Sequence, residues 1–489
     1  MSVEIYLDKT LIVTGLPGNL ARFLSAKLTF DNPEFITALQ RGDPTDGLNP
    51  HIYLYSYSGE DQLLETPVGS YKLLVTLLKN HNLDYNVSNH LSSKPAVYPR
   101  PDVVLRDYQV APVNEAIQIF EENPSFILQA DTGSGKTVMA LYMAMRMGAK
   151  TLWLTDKDAL FSQAKKRIEE FLGIPEEEIG EIVGTTWRIG PQVTVGMIPT
   201  LYNRDLSDIR HEFGFVVVDE CVLVPTKRCY KVVNELAPAK MLGLTAFAER
   251  GDGLTEAIFR TIGDIEVSVP SAGVIYPMVI KRPTNRRFYF NPAKHKRLPF
   301  LFERQIVGDK ERNELIIRDI GLHNEQFTTI VLSKSVKHLE MLKREVEKRF
   351  GAKATITHSN TKLLSSKQRK VNEEAFLNGE YNVMFATYGM LGTGYDYPRL
   401  DRLVWACPFS SEGWAYQSLG RPSRTFPGKK GAIVLDYLDN CDKLEYQSSV
   451  RDGICHRKGL RVVTRGTEDY LTDEDKDFLF SKDDGKKRV

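Results

Sequence analysis

The chain has 489 residues, 42% of them hydrophobic and 26% charged, with a formal net charge of +1. This length suffices for two or three domains, and the near-neutral charge excludes no class of partner, because a binding face needs only local charge. The five cysteines include no Cys-x-x-Cys pair, the N-terminus has no signal-peptide pattern, and no apolar run approaches the ~20 residues of a membrane span, so we expect no zinc site, no membrane contact and a cytoplasmic location.

Residues 1–95 are expected to form a small α+β accessory domain. The segments 3–15 and 51–59 have the β-branched and aromatic content of strands, whereas 18–30 and 69–82 have the apolar spacing of helices. Three prolines within 92–102 then predict a linker.

Two later regions, expected at 100–283 and 284–465, alternate short apolar strands with helical segments. The strand-like runs are SFILQA, TLWLT, VTVGMI, FVVVDE and MLGLTA in the first region, and TTIVLS, ATITHS, YNVMFAT, RLVWAC and GAIVLDY in the second. Such alternation is typical of parallel βαβ units, so the fold class is α/β. The basic segment 280–300 between the two sets is expected to be a linker or a hairpin, and residues 466–489 a charged tail.

A phosphate-binding loop is predicted between the strand SFILQA and the following helix. Residues 130–137, ADTGSGKT, fit the P-loop pattern with Ala in place of the first Gly. Gly133 and Gly135 let the backbone N–H groups curl toward phosphate oxygens. Lys136 would bridge the β- and γ-phosphates of ATP, and Thr137 would bind Mg²⁺.

Two adjacent carboxylates end the apolar strand VVV. In a P-loop fold a second strand delivers an acidic group to Mg²⁺, which predicts that Asp219 holds the ion and that Glu220 activates the attacking water. An exposed strand end is the alternative interpretation of this pair.

These motifs, and others that follow in order, resemble those of the superfamily 2 helicases and translocases. LRDYQ at 105–109 is similar to the adenine-recognition segment, and LGLTAFAERGDG at 242–253 is similar to motif III. FATYGMLGTGYDYP at 385–398 resembles motif V, and QSLGRPSR at 417–424 matches motif VI. The resemblance covers roughly residues 103–440 and is closest to the DNA-remodelling branch, whose bacteriophage members of the UvsW type drive branch migration.

The resemblance implies two tandem RecA-like parallel-sheet lobes, with ATP in the cleft between them, and a role for each matching residue. The nucleotide-binding residues would be Arg106, Gln109, Thr132, Gly133, Ser134, Gly135, Lys136, Thr137, Gly394 and Asp396. The catalytic residues would be Lys136, Asp219, Glu220, Gln417, Arg421 and Arg424, with the two arginines acting as arginine fingers. The nucleic-acid contacts would be Lys157, Thr200 and Thr387, to which the basic segment Lys281–Arg297 could add a grip on duplex DNA.

Two departures from the family pattern fall on residues that couple ATP turnover to movement. The family's motif II ends Asp-Glu-x-His where this chain has Val222, and Phe247-Ala248 replaces Thr-Pro after Thr245 in motif III. One hypothesis is that an apolar contact between Val222 and Phe247 replaces a polar one. The rival hypothesis is loose coupling.

The function expected is an ATP-dependent DNA helicase that remodels forks or four-way junctions, as a monomer using ATP and Mg²⁺. A bacteriophage origin would place it in the bacterial host cytoplasm. The alternatives are an RNA helicase, the motor of a restriction system, and an ATP-gated DNA clamp with little strand separation.

Overall fold

The computed structural model describes residues 2–59, 62–99, 103–131, 133–269, 274–295, 299–392 and 397–480. The chain divides into two compact units, Met1–Ala272 and Gly273–Val489. Within the described ranges, no helix combines the length and the apolar character that crossing a bilayer requires.

The first part of unit 1 is an α+β module, residues 2–99, which we call the N-terminal module. Its strands are β1 Val3–Leu7, β2 Leu11–Thr14, β3 Thr29–Asp31, β4 His51–Tyr53, β5 Ser56–Ser58, β6 Leu63–Thr66 and β7 Tyr85–Asn89. Its helices are α1 Gly18–Lys27, α2 Pro33–Arg41 and α3 Tyr71–Asn80. The main sheet has the order β5-β6-β2-β1-β7, and β3 pairs separately with β4. Alternate residues of β1 and β2 are buried, as expected for a sheet with one covered face.

The rest of unit 1 is a parallel sheet flanked by helices. Its strands are β8 Ser125–Ala130, β9 Thr151–Thr155, β10 Gly180–Val183, β11 Thr186–Arg188, β12 Val193–Met197, β13 Phe215–Asp219, β14 Lys240–Thr245 and β15 Ile265–Val269. Its helices are α4 Asp107–Glu122, α5 Lys136–Met147, α6 Asp158–Leu172, α7 Ile198–Tyr202, α8 Lys227–Val233 and α9 Thr255–Ile262. The order is β11-β10-β12-β9-β13-β14-β8-β15, with β11 antiparallel to β10 and the other pairs parallel.

The N-terminal module packs on helix α9. Leu254 and Ala257, from the start of α9, are buried in the module's own apolar cluster. Ser70 Oγ donates to the Arg260 carbonyl over 3.0 Å, and a Cβ added at Gly69 would lie 2.4 Å from the Thr261 carbonyl carbon. A glycine is therefore required for this close approach.

Unit 2 contains a second parallel sheet. Its strands are β16 Met278–Arg287, β17 Thr329–Ser333, β18 Ala354–Thr357, β19 Val383–Thr387, β20 Arg402–Trp405, β21 Ile433–Asn440 and β22 Val462–Thr464. Its helices are α10 Pro292–His295, α11 Pro299–Val307, α12 Lys310–Gly321, α13 Val336–Phe350, α14 Ser366–Leu377, α15 Glu412–Leu419, α16 Asp442–Arg457 and α17 Asp473–Phe480. The order is β18-β19-β17-β20-β21-β16-β22. The predicted α/β class, with two RecA-like parallel-sheet lobes and an α+β N-terminal part, is confirmed.

The structure corrects the expectation for the basic segment that begins at residue 280. Residues up to Arg287 belong to β16, a strand paired with β21 and β22 inside the sheet. Lys281 pairs with Asp436 over 2.7 Å and Arg282 pairs with Asp319 over 2.8 Å, and both basic side chains are at most 4% exposed. They are therefore unavailable to a DNA phosphate, while Arg297 lies outside the described residues.

The predicted charged tail also begins inside the core. Tyr470 and Leu471 are buried among the apolar side chains of unit 2, and Leu479 and Phe480 of α17 pack against the same cluster. Residues 481–489 lie outside the described residues.

Candidate functional site

The loop between β8 and α5 has the geometry of a phosphate cradle. Gly133 and Gly135 have φ values of +90° and +84°, which only glycine adopts readily. Lys136 begins α5, and its Nζ donates to the Ala130 carbonyl over 2.9 Å, so the loop closes on its own lysine. The helix N-terminus and the curled backbone together favour an anion at this place.

The start of α4 is fixed against this loop. Gln109 is buried, and its Nε2 donates to the Ser134 carbonyl over 2.9 Å while its Oε1 accepts the Arg106 backbone N–H over 3.0 Å. Tyr108 donates its hydroxyl to the same Ser134 carbonyl over 3.1 Å. The sequence missed Tyr108, and it placed Gln109 on the adenine base. In the structure the Gln109 amide also holds the P-loop backbone.

The acidic pair stands at the end of β13. Burial and the neighbouring Glu220 together raise the pKa of Asp219 to about 7, against the opposing effect of Lys136. The Glu220 N–H donates to Asp219 Oδ1 over 3.1 Å, and Glu220 has a φ of +53°. A non-glycine residue in the left-handed region is uncommon, and such strain is concentrated at functional sites.

These parts meet at one edge of the sheet because β13, β14 and β8 are neighbouring parallel strands. Their carboxyl ends carry Asp219, Thr245 and the P-loop respectively, and ligands of open α/β sheets bind at this edge. The structure therefore brings together the predicted phosphate, metal and water-activating residues of unit 1.

Arg250, to which the sequence assigned no role, links the segment after β14 to Val222, which closely follows the acidic pair. Thr245 Oγ1 donates to the Phe247 carbonyl over 2.9 Å and accepts the Phe247 N–H over 3.1 Å. Arg250 Nη1 donates to the Val222 carbonyl over 2.6 Å, and its Nε donates to Asp252 Oδ1 over 3.0 Å. This link between motifs II and III is polar and uses the Val222 backbone. The predicted apolar contact of Val222 with Phe247 stays a prediction.

Unit 2 supplies the predicted motif VI residues. Gln417 lies on α15, and Arg421 and Arg424 follow in the loop after that helix. Arg421 is 7% exposed, and Arg424 is partly buried. Lys429, to which the sequence assigned no role, also contacts this loop, because its Nζ donates to the Pro422 carbonyl over 2.6 Å.

The predicted nucleic-acid contacts are dispersed at strand and helix ends. Lys157 is the N-cap of α6, Thr387 ends β19, and Thr200 lies in α7, where its Oγ1 accepts the Gly184 N–H over 3.0 Å. All three are partly buried. Thr132, Gly394 and Asp396, predicted to bind nucleotide, lie outside the described residues.

Two family descriptions match the chain. Residues 102–250 match "Type III restriction enzyme, res subunit" and residues 311–425 match "Helicase conserved C-terminal domain". The two matches include the P-loop, the acidic pair and motif VI.

Similar curated proteins are named as helicases. The helicase named 161L of Invertebrate iridescent virus 6 is 27% identical over 411 residues, covering 78% of this chain and 87% of that protein. The helicase named D10 of Escherichia phage T5 is 23% identical over 404 residues, covering 80% and 84%. DNA 3'-5' helicase XPB of Mycobacterium tuberculosis is 24% identical over 388 residues, covering 75% and 66%.

Two solved structures with TM-scores above 0.5 share the fold, and T4 UvsW aligns with a lower score. A fragment described as an HsdR subunit of a type I restriction enzyme from Vibrio vulnificus has a TM-score of 0.55 at 15% identity, covering 94% of this chain and 88% of that one. S. cerevisiae Dbp5 bound to RNA and ADP BeF3 has a TM-score of 0.52 at 14% identity, covering 75% and 96%. T4 UvsW has a TM-score of 0.42 at 16% identity, covering 96% and 100%.

Proposed function

Because this chain belongs to superfamily 2 of the helicases and is an ATP-dependent helicase, we propose that it moves along DNA and remodels branched DNA. The reactions proposed are branch migration and fork regression. The observation that carries the ATP-driven part of the proposal is the shared sheet edge at which the P-loop, Thr245 and the Asp219–Glu220 pair meet.

The chemistry proposed for unit 1 is hydrolysis of the γ-phosphate by water. The P-loop N–H groups and Lys136 bind the phosphates, so the charge that develops during transfer meets donors already in place. Glu220 accepts the proton of the attacking water. Its backbone strain and the N–H bond to Asp219 are consistent with a carboxylate held in one position.

Asp219 and Thr137 are the residues that would hold Mg²⁺. The raised pKa of Asp219 fits this assignment, because a carboxylate buried without a cation is costly and a bound cation removes that cost. When bound, the ion neutralises charge on the phosphate oxygens.

We propose that Arg421 and Arg424 stabilise the γ-phosphate in the transition state, with Gln417 beside them. The support is their match to motif VI and the place of Arg421 and Arg424 in one loop after α15. Their planar, permanently charged guanidinium groups suit a phosphate better than an ammonium would.

DNA is the proposed track, with Lys157, Thr200 and Thr387 contacting the sugar–phosphate backbone. XPB of M. tuberculosis is named a DNA 3'-5' helicase, which favours DNA, whereas the mimivirus relative L396 is named an RNA helicase. The preference for branched DNA rests on the motif resemblance to the DNA-remodelling branch. We further propose that the protein acts as a monomer in the cytoplasm.

The test is ATP hydrolysis with Mg²⁺ in the presence of single strands, blunt duplex, a fork mimic, a four-way junction or RNA. Strongest stimulation by the fork and the junction is expected. Stimulation by single strands alone would replace branch remodelling with conventional tracking. Stimulation by RNA alone would make the protein an RNA helicase.

A Lys136→Ala variant separates a motor from an ATP-gated clamp. A motor loses strand separation and keeps its DNA affinity, whereas a clamp loses the ATP dependence of its affinity. Lys166→Ala is the matched control, because the Lys166 side chain is 75% exposed and pairs with Glu170 of the same helix, α6. An unchanged unwinding rate in Lys136→Ala would contradict both the motor and the ATP-gated clamp.

The N-terminal module is proposed to contact the branch point. Tyr53 and Tyr57 are each nearly half exposed and could stack on unpaired bases. Replacing both by Ser removes the rings without touching the core. We expect a larger loss of stimulation by a fork than by a simple tailed duplex, and equal losses would argue against a junction role.

A further inference from the structure

We propose that Lys429 is a positioning residue that fixes the loop carrying the arginine fingers. Its Nζ donates to the carbonyl of Pro422 over 2.6 Å, to that of Arg424 over 2.8 Å and to that of Leu400. The Pro398 carbonyl lies farther away, at 3.4 Å. The three short contacts match the three N–H donors of an ammonium group.

Two contacts of Lys429 hold the backbone near the functional residue Arg424. The ammonium binds the carbonyl of Arg424 itself and that of Pro422, two residues before it. The Ser423 carbonyl accepts the Ile275 N–H over 2.8 Å, and Ser423 Oγ donates to the Leu419 carbonyl over 2.7 Å. Three successive carbonyls of the loop are therefore occupied.

The remaining contacts of Lys429 Nζ lie at and just after the C-terminal end of motif V. Leu400 and Pro398 precede β20, whose position in the sheet is fixed by pairing with β17 and β21. Lys429 therefore joins the arginine loop to a rigid strand. An arginine finger reaches the γ-phosphate reliably only if its backbone is fixed. Misplacement of a catalytic group by about 1 Å lowers the reaction rate by a large factor.

The contacts of Lys429 are those of the protonated ammonium group, because the three carbonyl oxygens that Nζ touches can only accept hydrogen bonds. Burial and the nearby Arg424 lower the pKa of Lys429 to about 8, against the opposing effect of Asp401.

The inference rests on the proposed role of Arg424, and a double-variant experiment keeps the two apart. We expect Arg424→Ala to lower kcat for DNA-stimulated ATP hydrolysis about 100-fold. Lys429→Met should lower kcat about tenfold with KM for ATP changed less than about threefold, because unit 1 holds the P-loop. In the Arg424→Ala background, Lys429→Met should lower kcat by no more than about twofold, because a positioning residue has nothing left to position.

The outcomes are distinct. If Arg424→Ala keeps its kcat, the arginine-finger assignment is wrong. If Arg424→Ala loses activity and Lys429→Met lowers it further by the same factor as in the wild type, Lys429 acts independently and the inference is overturned. Lys430→Met, the same charge change at the next position, should leave kcat within about twofold of the wild type.

A second variant covers the case in which Lys429→Met does not fold. Lys429→Arg keeps the charge, but a planar fork cannot converge on carbonyls from different directions. We expect it to show the same dependence on Arg424, with thermal unfolding near that of the wild type. Full activity of Lys429→Arg would show that charge alone suffices and would overturn the geometric argument.

Discussion

Val222 occupies the position at which the family places a histidine, yet the structure retains a link from this position to motif III. The Val222 carbonyl accepts Arg250 Nη1, and a residue of any type offers this carbonyl. The loss of the histidine therefore leaves this contact intact, and Arg250 becomes the residue whose side chain matters.

We predict that Arg250→Ala lowers kcat about tenfold, because a charge-assisted hydrogen bond worth about 1.5–3 kcal/mol no longer holds the turn after Glu220.

Val222→His should leave the ATP consumed per base pair unwound unchanged. Both are measured by coupled ATPase and unwinding assays. A tighter coupling ratio in Val222→His would instead support the rival hypothesis, that the natural chain is loosely coupled.

His338 predicts a pH effect on unit 2. It is buried, with Nε2 2.9 Å from Asn313 Oδ1 and Nδ1 3.0 Å from Ser333 Oγ. An amide oxygen only accepts, so Nε2 carries the proton and Nδ1 accepts the Ser333 hydroxyl. Burial and, to a smaller extent, the neighbouring Arg312 lower the pKa of His338 to about 3.

Because the folded state binds this proton less readily than the unfolded state, His338 contributes stability above pH 6.5 that is lost as the pH falls toward 3. Relative to His338→Gln, the wild type should lose about 1.4 kcal/mol of unfolding free energy per pH unit below its usual pKa. Denaturant unfolding at several pH values measures this difference. Parallel curves for the two proteins would contradict it.

Among the elements, the strands that end in motifs could be predicted from sequence and β16 could not. SFILQA and TLWLT are uninterrupted apolar runs and coincide with β8 and β9, because buried parallel strands have no polar face. In β16, by contrast, Lys281 and Arg282 are neutralised by Asp436 and Asp319, which lie far away in the sequence. No local pattern shows such pairs.

The same limit applies to the candidate site. The P-loop and the acidic pair are short contiguous motifs, so their chemistry can be predicted from a few neighbouring residues. Arg250 and Lys429 act through backbone carbonyls at 222, 422 and 424, and any sequence has carbonyls at those positions. Only the fold shows which basic side chain reaches them.

For β16 we predict that Arg282→Ala strongly destabilises unit 2. Removing Arg282 leaves the buried Asp319 with only the longer contact to Arg318 at 4.0 Å as an ion pair, and breaking a buried pair in this way costs about 3–5 kcal/mol. Arg349→Ala, which breaks an exposed pair with Glu314, is the control and should cost far less, because solvent screens that pair. Chemical denaturation measures both, and equal losses would contradict the assignment of β16 to the core.

At the scale of the whole molecule, the N-terminal module is not separable from unit 1 at residue 95. Leu254 and Ala257 complete its core, and Lys72 pairs with Glu266 beyond α9. Truncation at this point would expose both apolar residues. Surface substitutions are therefore the better test of what the module binds.

We predict that Gly69→Ala loosens the module from α9. The added Cβ would meet backbone atoms of Thr261 and Gly263, which cannot move aside, and overpacking of this kind costs about 1–3 kcal/mol. Gly18→Ala is the matched control, because a Cβ there meets nothing within 4 Å. Unfolding midpoints and limited proteolysis compare the two, and an unchanged Gly69→Ala protein would show that the docking is not close-packed.

The insertion of Leu254 and Ala257 into the module also sets an order for folding during synthesis. The residues of the module are translated before α9, so their apolar core is filled only after α9 has been translated. A nascent chain that contains the module but does not yet reach residue 257 thus presents an apolar surface that the finished protein covers. The module is completed only by a helix that lies far downstream of it in the chain.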